Sequence, residues 1–329
     1  MIPCLYHANE TEYTTNGIGK LSDCISCHVT EKRNGSFELK MTYPAEGIHA
    51  EYIEEGNIIL ARPAEKKRSQ PFRIYKITTP LSGQLSVQAR HISYQLNFIT
   101  VSPVSAIGCV GALSALKNAS SQECPFTFET DIVSESQFSL SVPASLRNCL
   151  GGMEGSVLDI FGGEYEWDRY RVALYKNRGA DHGVKIIYGK NLIDFSMERS
   201  IENVITAVHP YWKNSETGEV FELPEKVVKV TRAIPPFEKV SVLDCTSDFD
   251  SQPTEEQLRT KAGQYLNTTS LTEPNLDIDI DFMQLWQTPG YEDVAQAEQV
   301  GLCDTVHVYI HKLGIEVSSK VTETEYDVL

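Results

Sequence analysis

The chain contains one motif that matches a known attachment site for a cofactor. Residues 24–28 read Cys-Ile-Ser-Cys-His, the pattern to which c-type haem is joined. The neighbouring residues alternate as in a β-strand, and side chains three positions apart on a strand point to opposite faces. Cys24 and Cys27 would then be unable to hold one porphyrin, and the N-terminus lacks the charged and apolar segments of a secretion signal. We therefore expect a structural strand without haem, and eight reduced cysteines.

Two further groups have the residue types of metal sites. His307 and His311 flank an alternating stretch, but no Cys or carboxylate repeats their spacing, as a zinc site requires. Asp277, Asp279 and Asp281 are spaced as in a calcium loop but lack its glycine at the sixth position and its glutamate at the twelfth. A strand that carries all three Asp on one face explains this pattern better. We expect no metal site and no bound cofactor.

Carboxylates and one Cys–His combination are the remaining candidates for catalysis. Glu164, Glu166 and Asp168 share one face of a predicted strand, which glycoside hydrolysis could use if partners lay across a cleft. Cys149 and His182 could in principle serve as nucleophile and base. The sequence contains no His-Glu-x-x-His, Gly-x-Ser-x-Gly or phosphate-loop motif. We predict that this chain is not an enzyme, and we assign no catalytic residues.

Short strands separated by turns fill the first third of the chain. Asn34-Gly35, a dipeptide typical of tight hairpins, separates alternating stretches at residues 24–31 and 37–43. Further strands with turn signals between them are typical of a barrel or a sandwich. The sequence therefore predicts a first β domain over residues 1–98.

The rest of the chain mixes helices with strands. An Ala- and Leu-rich stretch predicts a helix over residues 105–117, inside a mixed α/β domain over residues 99–195. Thr254, with Gln257 three residues later, predicts the capped start of a helix inside a second β domain over residues 196–329. The predicted fold class is α+β, mostly β, with several domains.

Acidic residues outnumber basic residues along the chain. Its 329 residues include 45 acidic and 29 basic ones, for a net charge of −16, which disfavours binding to nucleic-acid backbones or anionic lipid. Residues 262–311 contain eight acidic residues and no Lys or Arg. We call this segment the acidic band; it is a solvated outer face, an interface with a basic neighbour, or the lining of a channel. No apolar run approaches the roughly 20 residues needed to span a bilayer.

Short segments spread over the whole chain carry a family resemblance. They are residues 2–6 (IPCLY), 16–19 (NGIG), 29–35 (VTEKRNG), 70–75 (QPFRIY), 89–96 (ARHISYQL), 162–168 (GGEYEWD), 178–179 (RG), 188–192 (YGKNL), 302–306 (LCDTV) and 326–329 (YDVL). In this order they resemble the tail-associated hub proteins of long-tailed phages and prophages, the prophage endopeptidase tail family. Cys303 stands where a glycine is usual in a Leu-Gly-Asp-x-Val turn. This departure puts the geometry of that turn in question, because Cys is poor at positive φ.

The resemblance implies a trimeric baseplate hub, similar in fold to the central hub protein of contractile phages. Such a hub has two β-barrel-like tube domains and a mixed α/β insertion. It implies a structural protein of the virion tail tip, assembled in the bacterial host cytoplasm, that joins the tail tube to the host-facing tip and lets DNA pass. The implied partners are further copies of the chain, the tube-end ring protein, the tape-measure protein, and tip or fibre proteins.

Two other functions stay open at this point. One is a cell-wall (peptidoglycan) endopeptidase, as the family label suggests, and the other is a β-type module that binds host glycans. Many members of the family continue into a hydrolase domain, which in this protein would begin after Leu329.

Overall fold

A computed structural model describes residues 2–65, 67–81, 83–214, 216–230, 238–249, 251–267, 269–282 and 300–329. The chain divides into two compact units, unit 1 (Met1–Lys190 with Gln284–Leu329) and unit 2 (Asn191–Met283). The fold class is α+β and mostly β, as the sequence predicts. None of the helices in the described ranges is long and apolar enough to cross a bilayer.

Unit 1 contains the strands of both ends of the chain. Its strands are β1 (Cys4–Tyr6), β2 (Gly19–Lys20), β3 (Ser26–Lys32), β4 (Phe37–Pro44), β5 (Ile58–Ala61), β6 (Gln70–Thr78), β7 (Gln84–His91), β8 (Thr100–Val101), β9 (Val104–Ile107), β10 (Thr127–Thr130), β11 (Gln137–Leu140), β12 (Ala144–Ser145), β13 (Glu164–Asp168), β14 (Arg171–Tyr175), β15 (Asp181–Ile187), β22 (Thr305–Ile310), β23 (Ile315–Lys320) and β24 (Glu323–Asp327). Its α-helices are α1 (Gly108–Asn118), α2 (Leu146–Gly151) and α3 (Val157–Phe161), and its 3-10 helices are Ala50–Tyr52, Ile92–Phe98 and His311–Leu313.

An eight-stranded antiparallel sheet forms the centre of unit 1, in the order β2-β1-β5-β6-β7-β4-β3-β24. The predicted hairpin is confirmed, because β3 pairs with β4 and Asn34 adopts a φ of 56° in the turn between them. Alternate side chains of both strands are buried, so one face of this sheet covers the core. The last strand of the chain, β24, pairs with β3 at the sheet edge.

One hydrophobic core extends from this sheet into the helical part of unit 1. Its buried residues run along the sequence from Leu5 to Leu174 and include Val328 near the C-terminus. The core is therefore continuous across the predicted boundary between residues 98 and 99. The three-domain division itself stays a prediction.

Helix α1 begins three residues later than predicted. Residues Val104–Ile107 pair with β11 instead, and Gly108 turns the chain with a φ of 74°. A side chain at Gly108 would place its Cβ 2.7 Å from the Ser134 carbonyl oxygen. The Ala- and Leu-rich composition identified the helix, but the strand pairing and this turn fix its start.

Unit 2 is built around one central strand. Its strands are β16 (Leu192–Ser200), β17 (Ala207–Lys213), β18 (Val220–Glu222), β19 (Val228–Lys229), β20 (Val240–Asp244) and β21 (Asn275–Phe282). Its helices are α4 (Glu255–Leu266), α5 (Thr269–Thr272) and the 3-10 turn Thr246–Asp248. Strand β17 pairs with β18, β19 and β20, and α4 packs against it through Ala262 and Leu266. The predicted capping box of Thr254 and Gln257 is confirmed.

A two-stranded antiparallel ladder, which we call the ribbon, consists of β16 and β21. Its register places Asp194 opposite Asp281 and Glu198 opposite Asp277. Directly opposite residues lie on the same face of an antiparallel pair. Strand β16 therefore places further acidic residues beside the acidic band. The strand predicted for the Asp-rich segment is confirmed. Three other acidic residues of the band lie outside the described residues: Glu292, Asp293 and Glu298.

Candidate functional site

Two of the three carboxylates predicted on one strand face are paired with neighbouring side chains. Glu166 accepts a hydrogen bond from Arg171 Nη2 at 2.9 Å, and Lys67 Nζ lies 3.5 Å from its other oxygen. Asp168 accepts a hydrogen bond from Gln70 Nε2 at 2.9 Å. These contacts attach β13 to β14, to the loop residue Lys67 and to the first residue of β6.

The third carboxylate, Glu164, is almost fully buried. It accepts hydrogen bonds from Lys320 Nζ at 2.7 Å and from the backbone N–H of Arg178 at 2.8 Å, and Arg33 Nη1 is 3.6 Å away. Burial alone would raise the pKa of Glu164, but these hydrogen bonds and positive charges outweigh it and hold the pKa below its ordinary value. A general acid needs the opposite shift, so this environment stabilises a permanent charge.

A buried ion pair connects β3 to the segment that follows β14. Arg178 Nη1 donates to Glu31 Oε1 at 2.7 Å and to the Tyr165 carbonyl at 2.9 Å. The side chains of Arg178 and Glu31 are only 10% and 9% exposed. Burial alone would lower the pKa of Arg178, but the charge of Glu31 raises it above its usual value. Arg178 therefore stays charged and bound to the Glu31 carboxylate.

The hairpin turn of β3 and β4 is attached to β13 by one side chain. Asn34 donates through Nδ2 to the Gly163 carbonyl at 2.9 Å and accepts through Oδ1 from the Tyr165 N–H at 2.8 Å. The turn selects Asn because this residue tolerates positive φ. Its amide then satisfies two backbone groups of a second element.

His91 forms the inner end of a buried hydrogen-bond chain. Its Nδ1 accepts from the Ser93 N–H at 3.3 Å, which leaves Nε2 as the donor to Gln70 Oε1 at 3.2 Å. Burial, and to a smaller extent the positive charge of Arg147, lower the pKa of His91 well below its ordinary value. The ring is therefore neutral, and it stacks on Phe37 with a centroid distance of 4.5 Å.

These contacts all lie in unit 1, and we call the residues that form them the polar junction. Its residues are Glu31, Asn34, Gln70, His91, Glu164, Asp168, Arg178 and Lys320. A cavity of about 230 Å³ lies beside it and is lined in part by Glu31, Gln70, Glu166 and Trp167. Pockets for drug-sized ligands span roughly 300–1,000 Å³, so the space is small. The arrangement joins the large sheet, β13 and the C-terminal strands.

A second close contact, which we call the clasp, joins residues 179–180 to residues 301–304. Cys303 is buried and adopts a φ of 73°, so the positive φ of the glycine-type turn is kept. A Cβ on Gly179 would lie 2.1 Å from the Cys303 carbonyl oxygen, which only glycine avoids. Asp304 accepts hydrogen bonds from Ala180 N at 2.9 Å and from Gly301 N at 2.7 Å.

Cys149 and His182 do not have the environments of a nucleophile and its base. Cys149 is buried in α2, and burial raises the pKa of its thiol to about 11. A catalytic thiol needs a lowered pKa. His182 is about half exposed and lies 3.9 Å from the Asp304 carboxylate.

The two candidate metal-ligating histidines occupy different elements. His307 lies on β22, where Nδ1 is 2.6 Å from Ser318 Oγ and Nε2 is 3.0 Å from Asp181 Oδ1. His311 begins the 3-10 turn after that strand, so the predicted sharing of one strand is wrong. No group of three His, Cys, Asp or Glu suited to a metal occurs among the residues that the structure describes.

The haem-type motif also departs from the geometry that the sequence suggested. Strand β3 begins at Ser26, so Cys24 lies before the strand and not on the face opposite to Cys27. The Cys24 thiol lies 3.3 Å from the Ser26 carbonyl oxygen and 3.8 Å from the Thr42 carbonyl oxygen. A bend at residue 25 breaks the alternation on which the prediction rested.

Comparison with known protein families relates the C-terminal part of the chain to phage tails. The model of the family described as "prophage endopeptidase tail" matches residues 180–329, a little under half of the chain. Residues 180–329 of this chain are therefore similar to the prophage tail family. A comparison with curated proteins gave no match.

Solved structures of tail proteins are similar in fold to this chain over 99–100% of its length. The prophage tail protein gp18 from Listeria monocytogenes EGD-e superposes with a TM-score of 0.60 at 12% identity, covering 99% of this chain and 90% of that one. The 43 kDa tail protein of prophage MuSo2 from Shewanella oneidensis gives 0.65 at 11%, covering 100% and 94%. The tail protein from Neisseria meningitidis MC58 gives 0.60 at 10%, covering 99% and 91%. At these identities the likeness concerns the fold.

The sequence does not predict the polar junction as a site. Asn34, Gln70, His91, Asp168 and Arg178 nevertheless lie in segments that carry the family resemblance. The resemblance therefore contained the signal, but no local pattern showed that these distant segments contact one another.

Proposed function

We propose that this chain is a structural component of a phage tail: the hub of the tail tip, which forms a trimeric ring below the tail tube. The observation that carries the proposal is a fold similar to that of prophage tail proteins over 99–100% of the chain, and residues 180–329 also match the tail-family model. In this proposal the ring joins the tube to the host-facing tip. Its neighbours are the tube-end ring protein, the tape-measure protein and tip or fibre proteins.

The polar junction supports an architectural role over a catalytic one. The carboxylate that is most deeply buried, Glu164, is bound by Lys320 and by the backbone of Arg178, and its pKa is lowered. Buried groups paired in this way specify how elements fit together, whereas hydrolysis needs one carboxyl with a raised pKa. The hydrolase of a complete tail machine would then lie in a further domain or another protein.

The ribbon supports the passage of DNA through the ring. Asp194, Glu198, Asp279 and Asp281 are exposed, and no basic residue of either strand other than Arg199 accompanies them. Each phosphate contact by Lys or Arg would add affinity through counterion release, so a lining poor in such contacts lets DNA slide. We place the acidic band on the channel wall on this ground.

Deletion of the gene from an inducible prophage tests the proposal. We expect induced cells to accumulate heads and tubes without completed tips, and wild-type chain supplied in trans should restore infectious particles assembled in the cytoplasm. Tailed particles of normal appearance from the deletion strain would contradict a structural role.

Incubation with purified peptidoglycan distinguishes the structural hub from the alternative function of a cell-wall endopeptidase. We expect chromatography to show no released muropeptides from the purified chain, with a known cell-wall hydrolase as positive control. Release that is lost in Glu164→Gln would establish the enzyme instead. Tight binding to host cell walls by a chain that is dispensable for assembly would favour the glycan-binding module.

A further inference from the structure

Strand β20 forms one edge of the sheet in unit 2. Among the described residues it pairs only with β17, in parallel register. Val240 and Val242 are 48% and 70% exposed, whereas Leu243, on the other face, packs against the core around Ala262. An unpaired edge can bind another strand, and proteins usually protect such edges with charged side chains or Pro. The stretch from Val240 to Leu243 contains neither.

The hydrogen bonds between β17 and β20 show which backbone groups face outward. The Ala207 N–H donates to the Lys239 carbonyl at 3.3 Å, and the Cys245 N–H donates to the Tyr211 carbonyl at 2.9 Å. Every second residue of a strand bonds to the same neighbour, so the odd-numbered residues from 239 to 245 face β17. The residues whose backbone N–H and C=O groups point away from β17 are Val240, Val242 and Asp244.

Strand β18 forms the opposite edge of the same sheet. It runs antiparallel to β17, and the Asn214 N–H, just after β17, donates to the Glu219 carbonyl at 2.9 Å. The even-numbered residues at this end of β17 therefore bond to β18, so β18 and β20 lie on opposite sides of β17. The outward backbone groups of β18 are those of Val220 and Glu222, and Val220 is 55% exposed.

Charge limits where copies of this chain can contact one another. A net charge of −16 makes two copies repel, so a contact between them requires surfaces with little net charge. The β20 edge is neutral from Val240 to Leu243. On β18, Glu222 is paired with Lys226 and lies 2.8 Å from His209 Nε2. Both edges therefore meet this requirement.

We propose that β20 of one copy pairs with β18 of the next copy, so that the sheet of unit 2 continues across the contact. The two strands run in opposite directions within one sheet, so this pairing is antiparallel. Main-chain hydrogen bonds supply the affinity, as in other cases of strand addition. Two different edges meet, which makes the contact heterologous, as a ring requires. The inference rests on the proposed function for the ring and names the surface through which its copies meet.

Thiol cross-linking between two variants of the full chain tests the proposal. Val242→Cys and Val220→Cys are mixed at high concentration and treated with a short bismaleimide, with the wild-type chain as background. We expect linked dimers on a denaturing gel only when both variants are present. Val133→Cys, at a position 98% exposed in unit 1, should give no linked dimer with either. Linked dimers from Val242→Cys alone would indicate a two-fold contact and overturn the proposal, as would their absence from the mixture.

Two proline variants separate this contact from the fold and from the proposed hub. Val242→Pro removes an N–H that points outward, so the chain should fold normally and lose self-association in sedimentation velocity. Ser241→Pro removes an N–H that faces β17 and should destabilise unit 2 in circular dichroism. A ring of normal appearance in tail tips that carry folded Val242→Pro would overturn this inference and leave the hub proposal intact. Wild-type tips that lack the chain would instead contradict the hub.

Discussion

The buried pair of Glu31 and Arg178 gives a direct test of the polar junction at the scale of residues. We expect Arg178→Met to destabilise unit 1 by about 3–5 kcal/mol, because it leaves the Glu31 carboxylate buried without its partner. The double variant Glu31→Leu with Arg178→Met should recover much of this loss. Urea unfolding followed by circular dichroism measures both effects.

An exposed ion pair on the same strand provides the matched control. Lys32 Nζ lies 2.9 Å from Glu323, and both side chains are about half exposed. We expect Lys32→Met to cost less than about 1 kcal/mol, because solvent screens such pairs. Equal losses of unfolding free energy for Arg178→Met and Lys32→Met would show that the buried ion pair stabilises the protein no more than an exposed one.

The lowered pKa of Glu164 predicts how stability depends on pH. Because the folded pKa lies below the unfolded one, the charged Glu164 stabilises the protein above the ordinary Glu pKa of about 4.3. This contribution is lost as the pH falls through the folded pKa. We expect Glu164→Gln to be less stable than wild type at pH 7, and the difference to shrink below pH 4. Thermal unfolding at several pH values measures it, and a constant difference would contradict the assignment.

At the scale of elements, the ribbon carries a repulsion that one substitution should relieve. Asp281 is directly opposite Asp194, and like charges in that position destabilise a strand pair. We expect Asp281→Lys to stabilise unit 2 by about 0.2–1 kcal/mol at low salt, and Asp281→Asn to stabilise it less. Added salt should reduce the gain because it screens exposed charges. A gain in stability that does not depend on salt would indicate that side-chain packing, and not relief of charge repulsion, causes it.

Local patterns predicted most elements, since their causes are local. The Asn34-Gly35 turn fixed the first hairpin, the Thr254 capping box fixed the start of α4, and alternation fixed β21. The prediction failed where a contact distant in sequence decides the outcome. Val104–Ile107 is a strand because β11 pairs with it, and the clasp forms because the backbones of Gly179 and Cys303 meet.

The polar junction could not be predicted from the sequence, because it too depends on contacts between residues distant in sequence. Its hydrogen bonds join residues about one hundred positions apart, such as Gln70 to Asp168 and Asn34 to Tyr165. Each residue alone has an ordinary structural explanation: Asn34 is typical of a turn, Gln70 of a strand and Asp168 of an exposed carboxylate. The bend at residue 25, which leaves Cys24 outside β3, likewise has no signal in the alternation around it.

At the scale of the whole molecule, the placement of the acidic band on the channel wall can be tested by DNA ejection. We expect the triple variant Asp277→Lys, Asp279→Lys and Asp281→Lys to slow ejection from assembled particles, most strongly at low salt, since new phosphate contacts would retain DNA. The triple variant Glu51→Lys, Glu54→Lys and Glu55→Lys makes the same change of charge in unit 1 as a control. Equal ejection kinetics for wild type and the first variant would show that the acidic band does not line the channel.

The central claim is that this chain forms the ring of the tail tip, and electron cryomicroscopy of induced particles tests it most directly. One heterologous interface that closes on itself gives a cyclic assembly, and the proposed hub closes with three copies. We predict a reconstruction of the tip in which three copies of this chain surround the axis below the tail tube. A tip without this chain, or one that contains it as a dimer with a two-fold interface, would contradict the account.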